Sequence, residues 1–433
     1  MNTATLLDHL RTHDTSLTLS RAGALAWDDA EFHRAAYTAD PEGYALCALV
    51  PGVHEQQRAR VLLRLLAGSR AELGAEVRDT LVKVTRALLF GLRPELVVTA
   101  LLALRRTGAN HKHATRATLT FLLDHPDAEL LIAARRPALR DCFEHALGRD
   151  TARACARLIA AGDGGSAELR RKLLRFSANP AVAVERVRQL YAAGTYGVPV
   201  LTEPIAPLEP VRQRAPIVTV TNRGDIAATL VRVYRGGAAP ELGAALADYV
   251  AAATRDLPRL AAHVAVVLDT SESMRGYGDR EWALLSQAEA LRLVLAAVCE
   301  RLTVIEAGSA QHAPTDLATG LLDALDAAPD LVLLLTDGYE NRLPGDLARV
   351  AATLPRLGIH TPILLGRIKF TASDVMTFRD PVPALPCHDI WHQDDFATLL
   401  PRLFAATPAG GDWIRGVTEQ FLDNMNIPVA GAA

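Results

Sequence analysis

The sequence predicts an α/β domain with a central, mostly parallel sheet and flanking helices, preceded by an all-α region of stacked helices. Three observations carry this reading. Two runs, Val264 to Leu268 and Leu331 to Leu335, are apolar without alternation, as strands covered on both faces would be, and each stops abruptly on polar residues. Between them, Leu284, Ala288, Leu291, Leu295 and Val298 recur at helical spacing, giving a helix over Glu281 to Cys299 that packs onto a sheet. Upstream, Met1 to about Pro199 reads as helix after helix, with no convincing strand.

In that first region, Arg58 to Ala67 places Val61, Leu62, Leu65 and Leu66 on one face, and Leu96 to Leu104 and Leu130 to Ile132 continue the style. Breaks fall at Arg93–Pro94, Thr107–Asn110, Asp124–Asp127, Gly162–Ser166 and Asn179–Pro180, where helix-stop and helix-start residues meet. Antiparallel helices joined by such short turns make a bundle or a stack of pairs similar to HEAT repeats; no strict sequence period separates the two.

Gly194 to Arg214, with Pro199, Pro204, Pro207 and Pro210, reads as a linker, followed by a short strand over Ile217–Thr221 and helices over Asp225–Tyr234 and Pro240–Arg255. Further strands are expected over Leu302–Ile305, Ile359–Leu365 and near Asp389–His392, with helices over Asp346–Leu357 and Phe396–Phe404. A tail helix carrying Trp413, Ile414, Val417, Phe421 and Leu422 should dock back onto the protein. The expected divisions are therefore 1–199 (helical), 200–258 (linker and connecting helices), 259–408 (sheet domain) and 409–433 (tail).

The chemistry concentrates after the first apolar run. Asp269 is the first polar residue at its carboxyl end, where open α/β sheets place their ligands. Ser271 and Ser273 follow at alternate positions, so one loop can turn all three oxygens to one point. Hard oxygen donors without Cys or His suit Mg²⁺ or Mn²⁺ rather than Zn²⁺.

Asp-x-Ser-x-Ser at a strand end resembles the metal-ion-dependent adhesion site of von Willebrand factor A (VWA) domains. The resemblance extends downstream: Thr336, Asp337 and Gly338 match that family's fourth strand with its metal-facing Asp, and Thr315, in APTDLATGL, stands where the family has its second-loop Thr. It implies a metal shell of Asp269, Ser271, Ser273, Thr315 and Asp337. The chain departs from the family in leaving no room for an antiparallel edge strand before Thr315 and in having Pro314 where a Gly is usual. A five-stranded sheet in the order 2, 1, 3, 4, 5 is therefore expected.

Composition narrows the function. No apolar run approaches the roughly 18 residues of a membrane span, and Met1 to Leu10 lacks the pattern of a signal peptide, so a cytoplasmic protein is expected. Five scattered cysteines show no CxxC pair and read as buried thiols. The net charge of −3 hides an asymmetry, with 27 Lys plus Arg against 21 Asp plus Glu up to Val200 and 19 against 28 beyond it. The densest basic patch is a turn carrying Arg105, Arg106, Lys112 and Arg116, which could grip an RNA backbone. The alternative is a polar connection whose histidines cap helices, favoured by the absence of aromatic residues nearby in sequence.

Helical repeats followed by an A domain resemble the Ro autoantigen (TROVE) family, which implies binding of small RNA. No enzyme motif competes: there is no GxxxxGK[ST] loop and no GxSxG elbow, and an aspartyl-nucleophile phosphatase needs an acid where Ser271 stands. A metal held largely by neutral hydroxyls keeps much of its charge and favours an outside carboxylate. The sequence thus points to a non-enzymatic protein that captures an acidic residue of a partner protein, with RNA binding as the alternative.

Overall fold

Helices begin where the sequence supplies a cap. The side chains of Asp40, Ser166 and Asn179 accept from the backbone N–H of Gly43, Leu169 and Val182, and Pro41 and Pro180 occupy first-turn positions where no N–H is needed. The computed structural model describes residues 2–20, 24–193, 203–209, 225–236, 240–308, 315–340, 342–376 and 379–427. By contacts it divides into two units, residues 1–210 with 418–433, and residues 211–417. The expected strand at Ile217–Thr221, Pro314, and most of the Pro-rich linker lie outside the described residues.

The first unit runs α1 (Thr3–Thr12), β1 (Thr18–Leu19), β2 (Leu25–Ala26), α2 (Ala30–Ala39), α3 (Pro41–Cys47) and α4 (Glu55–Ala67). It continues through α5 (Ala75–Gly91), α6 (Pro94–Thr107), α7 (Lys112–Asp124), α8 (Ala128–Leu147), α9 (Arg149–Ala160), α10 (Ala167–Lys172) and α11 (Pro180–Tyr191). The breaks between helices fall where helix-stop chemistry places them. The antiparallel pair β1–β2 corrects the expectation of an uninterrupted helical region; two residues per strand are too few to leave a readable alternation. Within α8, Arg135 leaves helical geometry just before Pro137, whose ring and missing N–H break the ladder.

Helix α4 is buried on more than its apolar face. Arg58 and Arg60 are buried with Val61, Leu62, Leu65 and Leu66. Arg58 satisfies itself on the Ala48 and Val50 carbonyls and on Glu209, whereas Arg60 donates only its Nη2 to the Thr15 carbonyl and Asp28, pairs Nη1 with Asp29 as an ion pair, and leaves Nε without a hydrogen-bond partner among the described residues. Buried charge is tolerated only with such partners.

The second unit begins with α12 (Ile226–Tyr234) and α13 (Pro240–Thr254), then β3 (Leu260–Asp269), α14 (Glu272–Arg275), α15 (Ala283–Val298) and β4 (Cys299–Ala307). After these come α16 (Leu317–Asp326), β5 (Leu331–Thr336), α17 (Asp346–Thr353), β6 (Ile363–Ile368), β7 (Cys387–Ile390) and α18 (Phe396–Ala405), and α19 (Gly410–Asn424) begins in this unit and ends, from Thr418, in the first. The five long strands form one all-parallel sheet in the order β4-β3-β5-β6-β7, the reversal of strand order falling at β3. Strand β6 starts four residues later than Ile359, behind Pro362, and Asp346–Leu357 closes as a 3₁₀ turn from Leu354 around Pro355.

Both faces of the sheet are covered, which is why β3 and β5 carry no alternation. Ala265 and Val267 pack with Leu317, Leu321 and Ala324 of α16 and Leu347 of α17. Val264, Val266 and Leu268 point the opposite way, the side on which a strand's alternate residues lie, and are fully buried. Gly320 lets α16 ride close on the sheet: a Cβ there would stand 2.8 Å from Val267 Cγ1. Trp413 and Ile414 are buried, with Trp413 Nε1 donating to the Pro258 carbonyl at 2.8 Å and its ring edge-on to Phe404. Among the described residues no helix is long and apolar enough to cross a membrane.

Candidate metal centre

Strand β3 ends on Asp269, whose carboxylate is completely buried at the carboxyl edge of the sheet. Its Oδ1 accepts from the Ser271 N–H at 3.0 Å and faces the Thr315 hydroxyl at 3.4 Å, and its Oδ2 accepts from the Thr336 hydroxyl at 2.7 Å. The Ser271 and Ser273 hydroxyls lie 3.1 Å apart. Asp337, also buried, accepts from the Tyr339 N–H at 3.2 Å and is hydrogen-bonded by Ser273.

Each donor is held by backbone. The loop after β3 is tied to the end of β4 by the Thr270 N–H on the Ala307 carbonyl at 2.9 Å. Thr315 precedes α16, where the Asp316 side chain caps by accepting from Thr319, and its carbonyl accepts from the Arg342 N–H. Gly338 turns the chain beyond Asp337 with φ +92°, and a side chain there would run into the Arg379 carbonyl at 2.4 Å. So Asp269, Ser271, Ser273, Thr315 and Asp337 come together, drawn from three loops. Thr336 joins them; the one signal for it in the sequence is a hydroxyl closing an otherwise apolar strand.

The electrostatics of the site are those of an under-neutralised pair of acids. Burial pushes the Asp269 carboxyl up to about 6, and the nearby Asp337 charge adds to that; the Ser271 and Thr336 hydrogen bonds work against it. Burial also raises Asp337, opposed by the Tyr339 N–H, the Ser273 hydroxyl and the Arg379 charge. Two carboxylates and a set of hydroxyls, without a nitrogen or sulfur donor, fit a hard divalent cation such as Mg²⁺ or Mn²⁺, and such an ion would relieve their mutual repulsion.

The basic turn assembles only in part. Arg105 pairs with Asp141 at 2.9 Å and Arg106 points to solvent, whereas Lys112 and Arg116, one turn apart on α7, line a cavity of about 710 Å³ together with Arg175 and Phe176. The histidines do serve as caps, but of another helix: His113 and His111 reach the Leu65 and Ala67 carbonyls in the last turn of α4. Phe176, distant in sequence, supplies the aromatic ring that the turn lacks, under Arg175 at 4.7 Å.

No family model, no curated protein and no solved structure matches the chain.

Proposed function

We propose that the sheet unit is a VWA-type domain whose site holds Mg²⁺ or Mn²⁺ through Asp269, Ser271, Ser273, Thr315 and Asp337, and that the protein is a non-enzymatic, cytoplasmic scaffold. The observation that carries this reading is the convergence of two buried carboxylates and several hydroxyls from three separate loops on one point. A cation there would be incompletely neutralised, and its natural complement is an Asp or Glu from a partner protein. The test is calorimetric titration of the full chain with Mg²⁺ and Mn²⁺, followed by capture of host proteins in Mg²⁺ and in chelator. Binding lost in Asp269→Ala and capture lost in chelator would support the reading; equal capture in both would overturn it.

A second reading rests on the cavity in the helical unit. Three cations and a ring around one recess suit a nucleotide of an RNA strand, with phosphate on Lys112 and Arg116 and a base near Phe176. This supports RNA association of the kind implied by the resemblance to the TROVE family. Filter binding of single-stranded RNA at low salt tests it, and its absence would dismiss it.

A further inference from the structure

Two four-residue intervals near the start of the chain bring metal-capable side chains to one point. His9 lies in the last turn of α1 and His13 is the residue that caps its end, and Asp29 and His33 lie one turn apart where α2 begins. Asp29 Oδ2 is approached by His9 Nε2 at 2.8 Å, His33 Nε2 at 3.3 Å and His13 Nε2 at 3.6 Å. The donor atoms of His9, Asp29 and His33 all fall within 4.8 Å of one another, while His13 belongs to a second group with Asp28 and Asp29, pairing with Asp28 at 3.0 Å and stacking on the His9 ring. Donors set tetrahedrally at zinc bonding distance stand about 3.3 Å apart, so the His9 and His33 approaches to Asp29 are close to those of an assembled ligand set.

We propose that His9, His33 and Asp29 form a Zn²⁺ site in the helical unit with a fourth position open to water, built from different elements and different donor chemistry than the oxygen site of the sheet unit.

Imidazole-rich donors with one carboxylate select zinc over magnesium. The supporting contacts of such a site are present: the Tyr44 hydroxyl lies 2.7 Å from His33 Nδ1, and the Trp27 indole N–H donates to Asp29 Oδ1 at 2.8 Å. Charge permits the ion. Arg60, fully buried, contacts Asp28 at 2.8 Å and Asp29 at 2.6 Å and so offsets one of the two carboxylates, leaving one net negative charge facing three imidazoles. Asp29 Oδ2 is also crowded, since Gln57 Nε2 at 3.0 Å adds to Arg60 and the three rings. Without the ion, His33 Nε2 donates its proton to Gln57 Oε1 at 2.9 Å, and zinc would displace that proton. Access exists, because the His9 and His13 side chains are 21% and 30% exposed.

The test uses the full chain stripped with chelator. Zn²⁺ is titrated in competition with a chromophoric chelator, and Co²⁺ is added separately to read its absorption. One tight equivalent of Zn²⁺ and the intense bands of four-coordinate Co²⁺ are expected. His9→Gln should weaken zinc by at least about tenfold, whereas Asp269→Ala should leave it unchanged. His9→Ala, at the partly exposed ring of the set, preserves the test should His9→Gln fail to fold. Zinc binding equal in wild type and in the folded His9 variant, a Co²⁺ spectrum of the six-coordinate aquo ion, or loss of zinc in Asp269→Ala would each overturn the assignment.

Discussion

Thr336 Oγ1 lies 2.7 Å from Asp269 Oδ2, joining the last residue of β5 to the last residue of β3. The two strands pair in parallel with Leu268 beside Leu335, so the next pair is placed side by side by the ladder itself. The hydroxyl occupies one carboxylate oxygen and leaves the other turned toward Ser271 and Thr315. Thr336→Val keeps the shape and removes the donor. It should destabilise the metal-free chain by about 1–3 kcal/mol, the cost of an unsatisfied buried acceptor, with Thr336→Ser close to wild type. A wild-type midpoint for Thr336→Val in chemical denaturation would remove this contact from the account.

The raised pKa of Asp269 makes metal-free stability depend on pH with a definite sign. The folded carboxyl holds its proton up to about 6, above its ordinary value of 3.8. The folded state therefore binds more protons between those values, and stability falls as pH rises through that window, by about 3 kcal/mol for this group. Asp269→Asn should raise the Tm of chelated protein at about pH 8 and have little effect at about pH 4. Thermal melts at the two pH values check this, and a variant less stable than wild type at the higher pH contradicts it.

Asp337→Ala should lose Mg²⁺ binding and any Mg²⁺-dependent partner while its metal-free melting stays close to wild type, because removing one of two repelling carboxylates offsets the lost Tyr339 N–H contact. Calorimetry and a melt on the same preparation read both. Retained Mg²⁺ affinity would place the cation elsewhere.

In the helical unit, replacing Lys112, Arg116 and Arg175 with Ala should lower affinity for single-stranded RNA and flatten its salt dependence by about 0.7 in log–log slope per lost phosphate contact. Arg105→Ala should leave both unchanged, since Asp141 already holds that side chain. Filter binding over a salt series separates the two variants, and an Arg105 effect equal to that of the triple variant would count against the cavity.

The sheet was legible because its central strands are unusual: VAVVL and LVLLL have no polar face, and only burial on both sides explains that. Asp269, Ser271 and Ser273 were legible for the same reason, as polar residues fixed to the end of such a run. Thr315 and Asp337 emerged from resemblance, since nothing in local spacing ties them to Asp269; the parallel pairing of β3 and β5 does. What stayed hidden depends on contacts across long sequence gaps. Arg105 loses its freedom to Asp141 on α8, and Phe176 reaches the basic turn from beyond α10. The His9, His13, Asp29 and His33 intervals are visible in the sequence, but the cluster exists only because α1 packs near the start of α2, which periodicity does not specify.

The all-parallel order β4-β3-β5 has a temporal consequence. Each neighbour of β3 reaches it by a crossover, and Asp337 follows β5, two crossovers after Asp269 leaves the ribosome. A nascent chain ending before Leu331 carries Asp269, Ser271, Ser273 and Thr315 but neither Thr336 nor Asp337. The repulsion between the two acids therefore enters only as β5 closes on β3.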